Sequence, residues 1–252
     1  MRKISVIGIG AGDPDHLTLQ AIKAMNRADV FFLLDKGEEK SDLAALRHTL
    51  LDTHVPAGSY RLVEAPDPER DRQTSEYSSA VDDWRSRRAD IWERWITEEL
   101  GEDQSGAFLV WGDPSLYDST LAILEEILER GRVAFEHEVV PGVSSVSALL
   151  AKHRTGLNRV GRPVQITTGR RLAEGWPEGV DDVVVMLDAR HAFTRHLDQD
   201  LFIYWGAYVG TADEILVSGR LAEVSERIER LRTEARERKG WIMDTYLLRR
   251  HP

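Results

Sequence analysis

Three short segments hold residue types that could do chemistry. The first, Gly8-Ile9-Gly10-Ala11-Gly12-Asp13-Pro14, follows an apolar run and precedes a helical pattern. Glycines there let the backbone turn tightly and approach a ligand closely. A dinucleotide fingerprint would read GxGxxG. The spacing here is GxGxG, and Asp13 holds the third-glycine position, where its charge would repel a pyrophosphate. A tight turn without any ligand is the plain alternative. The second segment, Trp111-Gly112-Asp113-Pro114-Ser115-Leu116-Tyr117, is another Gly-Asp-Pro at the same kind of junction. Alone it is weak, because Asp-Pro commonly opens turns. The third, Pro141-Gly142-Val143-Ser144-Ser145, sets two hydroxyls at a helix start. They could cap the helix or hold a ligand carboxylate.

The elements that position these segments follow from periodicity. Residues 3–9 and 29–34 read as buried strands, 17–27 and 41–51 as helices, with Ser41 as N-cap of the latter. This βαβα opening predicts a parallel sheet, whose carboxyl edge would carry both Gly-Asp-Pro turns. Residues 54–74, with Pro56, Pro66 and Pro68, read as a long loop. A long helix over 76–100 carries Tyr77, Val81, Trp84, Ile91, Trp92, Trp95 and Ile96 as an apolar stripe, read as a packed face. A strand at 106–111, a helix at 120–129 stopped by Gly131, a strand at 133–140 and a helix at 144–152 follow. Beyond them the pattern changes. Strands at 163–168, 182–187, 201–205, 213–219 and 242–248 alternate with helices near 191–198 and 221–237. The expected division is an N-terminal lobe over 1–139 with a mainly parallel sheet and a C-terminal lobe over 140–252 with a mixed sheet.

Composition narrows the function classes. The 252 residues include no cysteine, which excludes thiol catalysis, disulfides and cysteine-held zinc. No run of apolar residues is long enough to span a bilayer, and the N-terminus lacks a signal-peptide pattern, so a cytoplasmic, membrane-free protein is expected. The net charge of −10 argues against general attraction to nucleic acid or anionic lipid. An anionic substrate would need local basic clusters: Arg85, Arg87 and Arg88; Arg159 and Arg162; Arg170 and Arg171. Most arginines of this kind sit on solvated faces.

The ordered set of strand-GxGxGDP-x-x-LT, strand-GDP-helix and V-PG-x-SS-helix closely resembles the tetrapyrrole methylases of cobalamin and sirohaem synthesis. VVVMLDA around Met186 and YVGTADEILVSGRL at 208–221 extend the resemblance over nearly the whole chain. GDPSLYDST, the Trp-rich insertion and the terminal WIMDTYLLRR look most like the member that expels acetate as it methylates a corrin precursor. Many other members continue with Phe and Gly-rich sequence after Gly-Asp-Pro. Tyr117, Asp118, Ser119 and Thr120 stand there instead, a departure expected to bear on which ring position is methylated. The resemblance implies an α/β fold of two αβα lobes with the active site in the cleft between them, S-adenosylmethionine as methyl donor, no metal, an anionic tetrapyrrole substrate and a homodimer.

Carried over by motif, Pro14, Trp111, Gly112, Asp113, Leu116, Ser144, Ser145, Met186 and Gly210 are the expected donor contacts. Loss of acetate needs water, and Asp13 and Asp113 are the candidate bases, unless each merely fixes its turn. Arg170 with Arg171 and Arg190 with His191 follow strand ends and are the candidate substrate contacts. Arg85 and Arg88 are second choices. Another methyltransferase of the same family, a nicotinamide-dependent oxidoreductase and a non-catalytic binding module are the alternative functions.

Overall fold

A computed structural model describes residues 1–35, 41–69 and 77–250, in two compact units, Met1–Val143 and Ser144–Pro252.

In the first unit, β1 (Lys3–Gly8), β2 (Val30–Asp35), β3 (Arg61–Pro66), β4 (Ser105–Val110) and β5 (Glu136–Val140) form one sheet in the order β3-β2-β4-β1-β5. All its pairings are parallel. Alternation along β1 explains why both faces are covered. Ile4 and Val6 join Phe32, Phe108 and Val110 against α3 (Tyr77–Glu98) and α4 (Thr120–Arg130). Ile7 joins Phe31, Leu33 and Leu109 against α1 (Leu19–Met25) and α2 (Ser41–His54). The tryptophans of α3 are packing residues, as their spacing predicts: Trp95 stacks on Phe32 at 5.6 Å and Trp92 lies 4.2 Å from Phe108. Gly131 ends α4 in the left-handed region at φ 67°.

The structure differs from the sequence reading in two places here. The stretch expected as loop contains β3, an edge strand whose exposed positions leave no strong alternation to read. Pro66 is tolerated because it ends the edge strand. The helix expected over 17–27 is the shorter α1, capped when Thr18 Oγ1 accepts from Ala21 N at 3.0 Å, and a 3-10 turn, Pro14–His16, precedes it. The Ser41 and Tyr77 side chains, Glu76, and 70–74 of the expected loop lie outside the described residues.

In the second unit, β6 (Val164–Thr168), β7 (Asp182–Met186), β8 (Leu201–Ala207), β9 (Ile215–Arg220) and β10 (Asp244–Arg250) lie in the order β6-β7-β10-β8-β9. Only β6 and β7 run parallel, so the sheet is mixed as read. The helices are α5 (Ser145–Lys152), the short α6 (Gly169–Leu172), missed in the sequence, and α7 (Leu221–Lys239). The helix expected near 191–198 is a 3-10 segment, Ala192–His196, because His191 enters it with left-handed backbone. Val183, Val185, Ile203, Trp205, Tyr246 and Leu248 fill the core beside Phe193 and Ile228.

A buried ion pair runs through that core. Arg232 Nε donates to Asp244 Oδ2 at 2.9 Å, and Trp205 Nε1 donates to the same oxygen at 3.1 Å. Burial pushes the Asp244 carboxyl above its ordinary value, and Arg232 opposes that push. Arg232→Ala is therefore expected to cost about 3–5 kcal/mol, the usual penalty for stranding a buried charge. A carboxyl with a raised folded-state value stabilises most when protonated, below its unfolded value, and loses that contribution as pH rises. Urea unfolding of the variant should accordingly show a smaller loss at about pH 5 than at about pH 7. A loss under about 1 kcal/mol, or one independent of pH, would contradict this account.

Candidate active site

The carboxyl edge of the first sheet brings the three sequence segments of that unit together through backbone. Ile9 N donates to Val110 O at 2.9 Å, carrying the β1–β4 pairing past the strands. Gly10 and Gly112 then form an isolated antiparallel bridge, with Gly112 N donating to Gly10 O at 2.7 Å. The third segment lies across both. A Cβ on Gly142 would stand 2.1 Å from Gly112 O, and one on Gly8 would stand 2.6 Å from Gly142 N. No side chain fits between these strands of backbone. The site falls where β4 inserts between β1 and β2 in the sheet order, the switch point at which open α/β sheets bind ligands.

Asp113 fastens this crossing. Its Oδ2 accepts from Gly142 N at 2.9 Å, and its Oδ1 accepts from Ser115 N at 2.8 Å and from the Ser115 hydroxyl. Burial pushes its carboxyl up, but the Ser115 and Gly142 hydrogen bonds outweigh that and hold it below the usual carboxylate value. A carboxylate so engaged is a weak base, so the geometry favours the turn-fixing role. Asp13 Oδ1 accepts from Asp15 N at 2.9 Å, an Asx turn opening the 3-10 segment. Its other oxygen has no partner among the described residues.

Of the remaining expected donor contacts here, Pro14 is exposed and Leu116 half-buried. Trp111 Nε1 is buried with no hydrogen-bond partner among the described residues. An orphaned indole N–H beside a glycine turn is what a polar ligand would satisfy. Gly10 and Gly112, at φ 85° and 71°, leave that turn free of side chains.

The second unit places its own candidates. Ser144 Oγ accepts from Ser147 N at 3.1 Å, so it caps α5. Ser145 opens the helix, and its hydroxyl has no hydrogen-bond partner among the described residues. Met186 ends β7, opposite Thr168 of β6 in the parallel ladder. Arg170 and Arg171 therefore leave one strand end, and Arg190 leaves its neighbour. Gly210, at φ 85°, donates its N–H to Glu214 Oε2 at 2.8 Å. Arg171 is exposed and pairs with Glu174 at 2.8 Å. Arg190 is exposed and its guanidinium has no ion pair among the described residues.

His191 has another task. Arg232 Nη1 faces its Nε2 at 2.8 Å, and an arginine can only donate, so that nitrogen accepts. Nδ1 then carries the proton and donates to Glu229 Oε1 at 3.0 Å. Both ring nitrogens serve the framework. The second-choice arginines are also engaged: Arg88 makes a two-point contact with Asp67, and Arg85 lies 3.9 Å from Asp82.

Sequence reasoning missed the anchor of the β7 loop. Asp188 accepts from Arg190 N at 2.9 Å, Ala192 N at 2.7 Å and Tyr246 Oη at 2.7 Å. A Cβ on Gly169 would come 2.5 Å from this carboxylate. The usable signal was positional: Asp188, like Asp113, lies just past a strand end. No group of three or more potential metal ligands occurs among the described residues.

Comparison with known proteins gives a consistent picture. The profile of the Tetrapyrrole (Corrin/Porphyrin) Methylases matches residues 3–225. The chain is 52% identical over 250 residues to the precorrin-6A synthase [deacetylating] of Sinorhizobium sp, covering 99% of this chain and 96% of that one. The crystal structure of a cobalamin-synthesis-related protein, CobF, from Corynebacterium diphtheriae superposes with a TM-score of 0.86 at 39% identity, over 99% of this chain and 98% of that one. Uroporphyrin-III C-methyltransferase of Thermus thermophilus, solved with S-adenosylhomocysteine, shares the fold at a TM-score of 0.53 and 20% identity, over 98% and 96% of the two chains.

Gly142→Ala tests the backbone crossing. A Cβ 2.1 Å from a carbonyl oxygen forces the segments apart. The expected outcome is a destabilisation of about 1–3 kcal/mol together with loss of S-adenosylhomocysteine binding, read by denaturant unfolding and calorimetry. Normal stability and affinity would show that the segments can separate freely.

Proposed function

The chain belongs to the tetrapyrrole (corrin/porphyrin) methylases, and on that premise we propose that it methylates precorrin-5 with S-adenosylmethionine and releases acetate, giving precorrin-6A. The observation that carries this reading is the 52% identity to a deacetylating precorrin-6A synthase over 99% of the chain. The sequence GDPSLYDST, which stands at the second glycine turn, supports it.

When bound, S-adenosylmethionine supplies an activated sulfonium methyl group. The chain's own work is placement. The Gly10–Gly112 turn offers bare backbone, the Trp111 indole N–H offers an unused donor, and Ser145, Met186 and Gly210 offer polar and apolar contacts from the second unit. Good alignment of two reactants can supply roughly 7–11 kcal/mol, so no strong acid or nucleophile is required for methyl transfer. Water must be activated for acetate loss. Of the two candidate carboxylates, Asp13 has one oxygen without a partner among the described residues, whereas Asp113 is spent on Gly142 and Ser115.

The substrate carries many carboxylates, and the protein's net charge is −10, so local arginines must hold it. Arg190, Arg170 and Arg171 are the assigned contacts, and His191 is left to the framework. A homodimer in the cytoplasm follows the family habit, and among the described residues no helix is long and apolar enough to cross a membrane.

Three measurements test the reading. Saturating S-adenosylhomocysteine, at about 100 times its Kd, should stabilise the protein by about 2.7 kcal/mol. Incubation with precorrin-5 and labelled donor should release acetate and incorporate methyl in equal amounts. Methyl incorporation without acetate would instead identify another methyltransferase of the family. Asp13→Asn should slow acetate release by about 100-fold or more, the usual worth of a general base, with donor-analogue affinity unchanged. Unaltered acetate release in that variant would remove Asp13 from the chemistry.

A further inference from the structure

Five non-glycine residues among those described have left-handed backbone: Tyr117, Arg154, Leu187, His191 and Tyr208. Such backbone is costly for a side chain with a Cβ and persists where the surroundings over-determine it. Three of the five have a structural reason. Arg154 lies just past α5, a usual place for this conformation, and its N–H donates to Ala151 O at 3.1 Å. His191 is bound at both ring nitrogens. Tyr208 is buried, with its hydroxyl on Trp241 O at 2.5 Å.

Tyr117 and Leu187 have no such reason. Tyr117, at φ 49°, is 47% exposed, and Leu187, at φ 55°, is 62% exposed. The Tyr117 hydroxyl has no hydrogen-bond partner among the described residues. Glycine would serve the backbone better at both places, and a polar residue would serve a solvated surface better.

Both residues are nonetheless held hard. Before Tyr117, Leu116 N donates to Asp113 O at 3.2 Å, and after it Asp118 Oδ1 accepts from Thr120 N at 2.7 Å. Leu187 lies between the β7 ladder and the Asp188 carboxylate, whose backbone oxygen also accepts from Arg232 Nη2 at 2.6 Å. The result in each case is a large, exposed side chain carried on a backbone turn that its neighbours hold, beyond the carboxyl end of a strand. Each directly follows an expected donor contact, Leu116 in one unit and Met186 in the other.

We propose that Tyr117 and Leu187 contact the substrate, each seating part of the apolar ring system of the tetrapyrrole. This rests on the function proposed above. A macrocycle presents broad apolar faces with carboxylates at its rim. A leucine suits the face. A tyrosine suits face and rim together, since its ring packs and its hydroxyl donates. Burial pushes the Tyr117 phenol above its ordinary value, so it stays protonated and able to donate at neutral pH.

The test uses Tyr117→Gly and Leu187→Gly in the full chain, with Tyr117→Asn and Leu187→Asn as second variants, because asparagine tolerates left-handed backbone. Melting temperature, S-adenosylhomocysteine affinity, and KM and kcat with precorrin-5 are measured. The expected result is a melting temperature equal to or above wild type, donor-analogue affinity within about twofold, and a KM raised about tenfold or more, as loss of a buried large apolar contact implies. Unchanged KM in all four variants would overturn the proposal. So would lower melting temperatures throughout, which would make the side chains structural, or an equal loss of donor-analogue affinity, which would make them donor contacts. Wild-type protein that transfers no methyl to precorrin-5 would overturn the function itself, whereas active wild type with unaffected variants would overturn only this assignment.

Discussion

The close crossing of three backbone segments at Gly8, Gly112 and Gly142 is the constraint on which the first unit depends. A Cβ on Gly142 or on Gly8 would lie 2.1 or 2.6 Å from the nearest backbone atom of the opposing segment. Contact so tight sets where β1, β4 and β5 must end, and it makes the loops beyond them start from fixed points. A single carboxylate, Asp113, ties two of those segments by accepting from Gly142 N. The rest of the unit follows from burying both faces of the sheet, with α3 and α4 on one side and α1 and α2 on the other. Hydrophobic burial of this kind is non-directional and supplies stability. The glycine crossing supplies position, to which burial alone is indifferent.

The second unit reaches the same end by different means. Its fixed point is polar and side-chain based. Asp188 gathers two backbone N–H groups and the Tyr246 hydroxyl, and Arg232 joins its carbonyl to Asp244 and His191. A buried network of this sort stabilises only when every member is satisfied, so it specifies one arrangement of the loop after β7. Glycine enters here too, since only Gly169 lets α6 sit against the Asp188 carboxylate.

Much of this was legible in the sequence, and the reasons for the exceptions are physical. Strong periodicity made β1, β4, α3 and α7 readable, and Gly131 and the Gly-Asp-Pro turns announced themselves by residue type. β3 was not legible because an edge strand with exposed side chains lacks the continuous apolar run that burial on both faces imposes on β1. The shared site of the glycine turns was legible from their matching places after strands. Their actual contact was not, because backbone hydrogen bonds such as Gly112 N to Gly10 O leave no trace in residue type. The task of His191 was hidden for a related reason. Its partners Glu229 and Arg232 lie about forty positions away, on a helix whose surface pattern gives no hint that Arg232 is buried.

The main-chain nature of the glycine crossing has a bearing on how such a scaffold diversifies. Ser115, Leu116 and Tyr117 project from a loop whose origin is secured by Gly112 and Asp113, not by their own side chains, apart from the Ser115 hydroxyl. Tip residues can then be exchanged through drift or selection while the anchorage stays in place. On the substrate role proposed for Tyr117, foldability and choice of reactant are written at separate addresses of the same loop.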